Sequence, residues 1–317
     1  MALKLKRGRT NPRIAILTGA GASYGAGDVT PSAPPLGPGL FAALVAHHPD
    51  SWGSLPGEAA EAFHADFESA MVGLWESFSE GSSRLLIDMG TFFTRFEPSG
   101  VEDCYSQLVR CLMDNHLIRT TAFGTLNYEC ILDVAASHLG LKLAYLAKVP
   151  PLGNLLVWKL HGSCNVLPKM NAYGFNLVIS DPVHQGYFDG EVEVLNLPEV
   201  RARYKADFAL PPVMSLYAPG KPSPVASTFI KEARSQWSDW VRRAEVAIII
   251  GARPNLSDGH VWEPVVQSDC AVWWVGQSGQ HDVNQFAEQL GHHRFHHVSE
   301  TFIEGMPRLR RALSTSF

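Results

Sequence analysis

The sequence predicts a doubly wound α/β fold, in which a mostly parallel sheet carries helices on both faces. Six short β-rich segments are spread along the chain, and four of them are continuous apolar runs of the kind found in strands buried on both faces. The segments are RIAIL (13–17), TTAFGT (120–125), LLVWKL (155–160), VAIII (246–250), AVWWV (271–275) and RFHHV (294–298). Helical patterns separate them, and this alternation is typical of a Rossmann-like sheet.

Two long segments interrupt the alternation. Residues 31–118 contain several amphipathic patterns and no convincing strand, which predicts a helical insertion between the first and second strands. Residues 168–224 are rich in Pro, Gly, Tyr and Asp, which predicts a loop-rich flap. Neither segment contains repeats or low-complexity sequence, so we expect residues 1–317 to form a single domain that carries both excursions.

Composition excludes several function classes. Of the 317 residues, 46% are hydrophobic and 18% are charged, as in a globular protein. The formal net charge of -5 argues against a general binder of nucleic acid or anionic membranes. No apolar run approaches the roughly 20 residues of a membrane span. The five cysteines are odd in number and never spaced C-x-x-C, which disfavours zinc ribbons and disulfide scaffolds and predicts a cytoplasmic protein without a metal.

The first predicted strand ends in a run of small residues, LTGAGASYG (17–25). A strand that breaks into glycines and then begins a helix presents backbone N–H groups and a positive helix end, which suit a phosphate group. The spacing departs from the dinucleotide fingerprint G-x-G-x-x-G, so a hydride-transferring enzyme is disfavoured. A tight turn without a ligand is the alternative. If the loop binds a diphosphate, Gly21→Asp should abolish that binding and leave the fold intact.

Polar or small residues follow the first five predicted strands. Ligands gather at the carboxyl ends of strands in open α/β sheets. Polar and small residues at five successive strand ends therefore predict a binding site. The segments are GAGAS (19–23), TLNYE (125–129), KLHGS (159–163), IGARPNLSDGH (250–260) and the segment that begins at Gly276.

Four of these segments, in this order, resemble motifs of the sirtuin family. They are most similar to its bacterial NAD-consuming branch, in which an acid follows the second motif as Asp133 does here. Two features of the lysine deacylases in that family are absent, namely a zinc module with two C-x-x-C pairs and a G-I-P-D-F-R segment after the glycine loop. The resemblance covers the predicted sheet and leaves the helical insertion uncovered.

The resemblance implies hydrolysis of NAD to nicotinamide and ADP-ribose, with NAD as the substrate and no metal. Asn127 would orient the attacking water and the ribose, since a carboxamide both donates and accepts hydrogen bonds. His161 would accept a proton, because an imidazole titrates near neutral pH. The glycine loop would hold the diphosphate. The residues expected to bind NAD are Gly19, Ala20, Gly21, Ser23, Thr125, Asn127, His161, Gly251, Asp258 and His260.

Structural alternatives exist for both candidate catalytic residues. Asn127 could be the N-cap of a helix, and His161 could be a buried core histidine. Tyr128 and Glu129 alternate with Asn127 and are expected to face away from the ligand.

Two other function classes stay open. One is an ADP-ribosyl or acyl transferase in which a protein nucleophile replaces water, and the other is a non-catalytic sensor of NAD or ADP-ribose, or an assembly subunit. The resemblance further implies a regulated role in bacterial anti-phage defence, with a homo-oligomer, a partner ATPase or both.

Overall fold

The structure is a computed structural model, and it describes residues 13–76, 80–148, 151–169, 177–180, 185–188, 190–206, 210–215, 225–255, 258–291 and 293–317. The strands of this part of the chain are β1 (Ile14–Thr18), β2 (Val29–Thr30), β3 (Glu97–Pro98), β4 (Thr121–Thr125), β5 (Lys142–Ala144), β6 (Asn154–Lys159), β7 (Val166–Pro168), β8 (Leu177–Ser180), β9 (Gln185–Phe188), β10 (Val192–Val194), β11 (Val246–Ile250), β12 (Ala271–Val275) and β13 (Phe295–Ser299).

Helices connect and cover these strands. They are α1 (Ala20–Tyr24), α2 (Gly37–His47), α3 (Gly57–Ala65), α4 (Phe67–Glu76), α5 (Glu80–Phe93), α6 (Cys104–Asp114), α7 (Ile131–His138), α8 (Leu197–Tyr204), α9 (Ser227–Val241), α10 (Gly259–Gln267), α11 (His281–Leu290) and α12 (Phe302–Ser316). Among the described residues, no helix combines the length and the apolar character that crossing a membrane requires.

Seven strands form one parallel sheet in the order β13-β12-β11-β1-β4-β6-β5. All six predicted strands lie in it, and β11 and β12 have the predicted bounds. The seventh, β5, is an edge strand of three residues, which is too short to show a periodic pattern. The doubly wound α/β prediction is therefore confirmed.

The sheet is buried on both faces, as β1 illustrates. Ile14 and Ile16 pack into one apolar cluster with side chains of α6, α7 and α12, whereas Ala15 and Leu17 pack into a second cluster with side chains of α9, α10 and α11. All four are fully buried. Because successive side chains of a strand point to opposite faces, the unbroken apolar run in the sequence reflects these two covered faces.

The structure describes the predicted helical insertion except for residues 77–79, but it describes only parts of the predicted flap. Helices α2 to α6 lie between β1 and β4, as the predicted helical insertion requires, and the two-residue strand β3 within this range pairs with β2. The predicted flap at 168–224 lies partly outside the described residues. Its described parts contain α8, the antiparallel pair β8–β9, and β10, which pairs with β7 at the beginning of the flap.

The strand order reverses at β1. From β1 the chain passes through the insertion to β4 on one side, and it later returns to β11 on the other side. Ligands of open α/β sheets bind in the crevice outside the carboxyl ends of strands at such a reversal. The segments after β1, β4, β6 and β11 surround this edge and are the candidate site.

Candidate functional site

The loops that follow β1 and β11 meet backbone to backbone. The N–H of Gly19 donates to the carbonyl of Ile250 (3.0 Å), and the N–H of Gly21 donates to the carbonyl of Gly251 (2.9 Å). Gly251 has a φ of +57°, and a Cβ built there would lie 2.0 Å from the backbone nitrogen of Ala22. Only glycine fits so close a contact. Packing between two strand ends is therefore sufficient to explain these glycines.

This contact corrects the expected outcome of Gly21→Asp. A Cβ at Gly21 would lie 2.9 Å from the carbonyl oxygen of Gly251, which is closer than real Cβ atoms approach. The larger side chain would disturb the β1–β11 contact itself. A loss of NAD binding in this variant would thus not separate a blocked phosphate loop from a displaced one.

Asn127 lies within a buried hydrogen-bond network just beyond β4. Its side chain is 8% exposed, and its Nδ2 donates to Gly19 O (3.1 Å) and to Ser23 Oγ (2.8 Å). Its backbone N–H donates to Thr125 Oγ1 (3.1 Å). Both amide protons have acceptors, so the orientation of the carboxamide is set and Oδ1 is left as the hydrogen-bond acceptor. The N-cap of α7 is Cys130, so the N-cap alternative for Asn127 is wrong.

Ser23 links Asn127 to two further buried groups. Its hydroxyl donates to Glu129 Oε1 (2.5 Å) and lies 2.9 Å from the Tyr105 hydroxyl. The other carboxylate oxygen of Glu129 accepts from the N–H of Ile131 (2.5 Å). Burial raises the pKa of the Glu129 carboxyl, and these hydrogen bonds oppose the rise. Glu129 therefore belongs to the same buried network as Asn127, with Ser23 between them.

An ion pair lies buried behind this network. Lys159 Nζ is 2.6 Å from Asp133 Oδ2, and the two side chains are 1% and 7% exposed. The Tyr145 hydroxyl donates to Asp133 Oδ1 (2.7 Å). Burial alone would lower the pKa of Lys159, but the negative charges of Asp133, Cys130 and Glu129 and the hydrogen bond to Asp133 together outweigh burial and hold that pKa above its ordinary value. Asp133 thus has a structural partner.

His161 occupies the position after β6 that Asn127 occupies after β4. Thr125 and Lys159 are paired in register across the two strands, and each candidate residue lies two positions further along the chain. The two side chains therefore leave neighbouring strand ends on the same edge of the sheet. His161 is 1% exposed.

The turn after His161 is closed by a segment from the flap. Gly162 has a φ of +80°, and a Cβ there would lie 1.9 Å from the carbonyl oxygen of Val213. The N–H of Ser215 donates to His161 O (2.7 Å). The KLHGS motif therefore needs its glycine for the approach of another chain segment, just as the GAGAS motif does.

His161 faces Asp258 and His260, which lie at the start of α10. The Nε2 atom of His161 is 3.7 Å from Asp258 Oδ2, and the two imidazole rings have centroids 5.8 Å apart. Asp258 is 6% exposed and stands at the N-cap of α10, but its side chain makes no capping hydrogen bond to that helix. Arg234 lies nearby, donating to Leu160 O (2.9 Å) and Ser215 Oγ (3.1 Å), and burial lowers its pKa.

The predicted site residues thus form three contact groups along one edge of the sheet. The groups are the glycine contact (Gly19, Gly21, Gly251), the network of Ser23, Thr125 and Asn127, and the cluster of His161, Asp258 and His260. Ala20 is exposed beside the first group.

Sequence reasoning missed Tyr105 and Arg234 as parts of this edge. Tyr105 lies on α6 within the helical insertion, and Arg234 lies on α9, so neither follows a strand. Both residues carry no local motif, and only the tertiary packing brings them to the strand ends. An isolated Tyr or Arg on an amphipathic helix gives no signal that could have singled it out.

No protein-family model matches the chain, and no curated protein sequence matches it.

Proposed function

We propose that the chain is a sirtuin-like NAD glycohydrolase, which hydrolyses NAD to nicotinamide and ADP-ribose. The observation that carries the proposal is the placement of Asn127 and His161, two buried polar side chains at equivalent positions beyond the neighbouring strands β4 and β6. Burial of polar side chains costs free energy. Their recurrence at the crevice where the strand order reverses supports a ligand-binding role over a packing role.

The chemistry sets requirements that these residues match. Cleavage of the bond between nicotinamide and ribose passes through an oxocarbenium-like centre, as in glycoside hydrolysis. That centre needs an oriented ribose and a positioned water. Asn127 supplies an acceptor, Oδ1, on a carboxamide held by Gly19 and Ser23. A preorganised polar group of this kind stabilises the transition state without reorganisation during the reaction.

His161 is assigned the proton-accepting role. A neutral imidazole nitrogen can accept a proton from water or a ribose hydroxyl, and the ring then carries a positive charge. The carboxylate of Asp258, 3.7 Å from Nε2, would stabilise that positive charge. The backbone of residues 19–23 and the side chain of His260 would contact the rest of the NAD molecule.

The experiment that tests the proposal is incubation of the purified full chain with NAD, followed by measurement of nicotinamide and ADP-ribose. We expect equal amounts of both products. Nicotinamide that forms only when an acceptor protein is added would instead indicate a transferase. Binding of NAD without product would indicate a sensor or assembly subunit.

The cellular setting is inferred from the need to restrain NAD cleavage and from the resemblance to the bacterial NAD-consuming branch. An enzyme that consumes NAD must be restrained, so we infer regulation through assembly, either as a homo-oligomer or with a partner ATPase, in a bacterial anti-phage role. The five cysteines are all buried and free, which suits a reducing cytoplasm. Light scattering of the purified chain with and without NAD measures whether assembly accompanies binding.

A further inference from the structure

His161, Asp258 and His260 form a cluster with the composition of a metal site. One ligand atom from each lies within 4.8 Å of the others, and in the described part of the chain this is the one group of three or more His, Cys, Asp or Glu residues so arranged. Two of the side chains are buried and His260 is half-buried. His161 follows β6, whereas Asp258 and His260 stand at the start of α10, so distant parts of the chain supply the three ligands.

The ligand set suits a divalent transition metal. Two imidazoles and one carboxylate, with one open position, are a common arrangement for zinc and for related ions such as cobalt. Zinc ligands lie about 2.0–2.2 Å from the ion, so ligand atoms in a tetrahedral site are about 3.4 Å apart. The observed separation of 3.7 Å between His161 Nε2 and Asp258 Oδ2 is close to that spacing. A separation as wide as 4.8 Å would have to close by about 1.4 Å to reach that spacing.

The conformation of Asp258 is a second, independent observation. An aspartate at a helix N-cap ordinarily accepts a hydrogen bond from the backbone of the first turn. Asp258 occupies this position in α10, yet its side chain makes no such bond and lies beside the imidazole of His161. Its carboxylate therefore contacts the imidazole of His161 and does not cap its own helix.

We propose that His161, Asp258 and His260 bind a divalent transition-metal ion of the zinc class, and that the bound ion blocks NAD cleavage. The blocking follows because a coordinated imidazole has no lone pair left to accept a proton. Metal binding by itself does not depend on the proposed enzymatic activity, whereas the blocking rests on it. The prediction that the protein holds no metal was based on cysteine spacing, which cannot detect a site assembled from distant segments.

Cobalt(II) is the probe for the binding half of the proposal, because its visible absorption reports on coordination by nitrogen and oxygen ligands. The full chain is treated with a chelator, dialysed and titrated with cobalt(II), and zinc is then added as a competitor. We expect one ion per chain, displaced by zinc. Asp258→Asn and His260→Gln should each weaken the affinity at least tenfold, with circular dichroism confirming the fold. His64→Ala, which removes an exposed histidine on α3, is the matched control and should bind normally.

The outcomes separate this inference from the proposed function. If wild-type protein binds no cobalt or zinc, or if all three variants bind equally well, the metal site is overturned. If zinc binds and nicotinamide release stops, and a chelator restores it, both halves are supported. If nicotinamide release continues while the site is saturated with zinc, the proposed block of NAD cleavage is overturned. Metal binding in a protein that never cleaves NAD supports the site and contradicts the proposed function.

Discussion

The candidate site has a glycine side at the ends of β1 and β11 and a polar side at the ends of β4 and β6, and the two sides are packed differently. Between β1 and β11, backbone lies against backbone, and Gly21 and Gly251 leave no room for side chains. Between β4 and β6, buried polar side chains fill the space, with Asn127, Glu129 and Lys159 each hydrogen-bonded. The fold alone explains the glycines. It does not require the polar side chains, since apolar residues would fill the same space at a lower desolvation cost.

This difference indicates which residues carry functional information. Glycine motifs at strand ends arise wherever two loops approach closely, whether or not a phosphate binds there. Buried amide, carboxylate and imidazole groups at the carboxyl ends of the strands are harder to explain by packing. The comparison predicts that substitutions on the glycine side act on stability, and that substitutions on the polar side act on stability and on catalysis.

The largest effect on stability is expected on the polar side, at the buried ion pair. Lys159→Ala leaves the Asp133 carboxylate buried without its cation, and removing one partner of such a pair costs about 3–5 kcal/mol. Urea unfolding of the variant measures this loss. Lys142→Ala, at an exposed lysine on the neighbouring strand β5, should change stability by less than about 0.5 kcal/mol. Equal losses in both variants would contradict the account.

On the glycine side, Gly251→Ala should destabilise the protein by roughly 3 kcal/mol or more, because the methyl group meets the backbone of Ala22 at an unfavourable φ. Gly140→Ala is the matched control. Gly140 has a similar φ of +78° with open space around its Cβ position, so only the backbone strain of about 1–2 kcal/mol should appear. The difference between the two melting temperatures measures the steric contact. Equal melting temperatures for the two variants would contradict the steric contact assigned to Gly251.

Ser23→Ala tests the hydrogen bonds that join the segment after β1 to Asn127 and Glu129 on the polar side. The substitution removes a donor to Glu129 and an acceptor for Asn127, and an unsatisfied buried group costs about 1–3 kcal/mol. Nicotinamide release should fall as well, because the carboxamide loses one of its two fixed acceptors. The exposed serine at position 32 supplies the control, Ser32→Ala, which should leave stability and activity unchanged. A Ser23→Ala variant that loses stability and keeps full activity would separate the network from catalysis.

The smallest expected effect is a pH dependence that arises from Glu129. Burial raises its pKa above the ordinary 4.5, so its contribution to stability is fully present below pH 4.5 and is lost as the pH rises through the folded-state value. Glu129→Gln cannot ionise and should gain stability relative to wild type as the pH rises from 4.5 to neutral. The unfolding free energies of both proteins, measured across this pH range, show how their difference in stability depends on pH. A variant that loses stability relative to wild type as the pH rises would contradict the buried environment assigned to Glu129.

Much of the fold could be predicted because the β-strands are apolar on both faces. VAIII and AVWWV lie at the predicted positions, since a strand buried on both sides needs no polar residue. The strand β5 could not be predicted, because three residues, one exposed and two half-buried, are too few to show a period. The sequence also placed Asn127 and His161 beyond neighbouring strands. It could not show that Tyr105 reaches Ser23, or that Asp258 turns toward His161, because those contacts depend on tertiary packing.

If Asn127 orients the attacking water and the ribose, its loss should slow the cleavage of NAD far more than it weakens NAD binding. The most direct test measures nicotinamide release and NAD affinity for wild-type protein and for Asn127→Ala. We predict that release falls by about 10²–10³, the scale for losing one preorganised polar group, while the dissociation constant changes by less than about tenfold. A wild-type protein that cleaves NAD alongside an Asn127→Ala variant that cleaves it equally fast would contradict the claim.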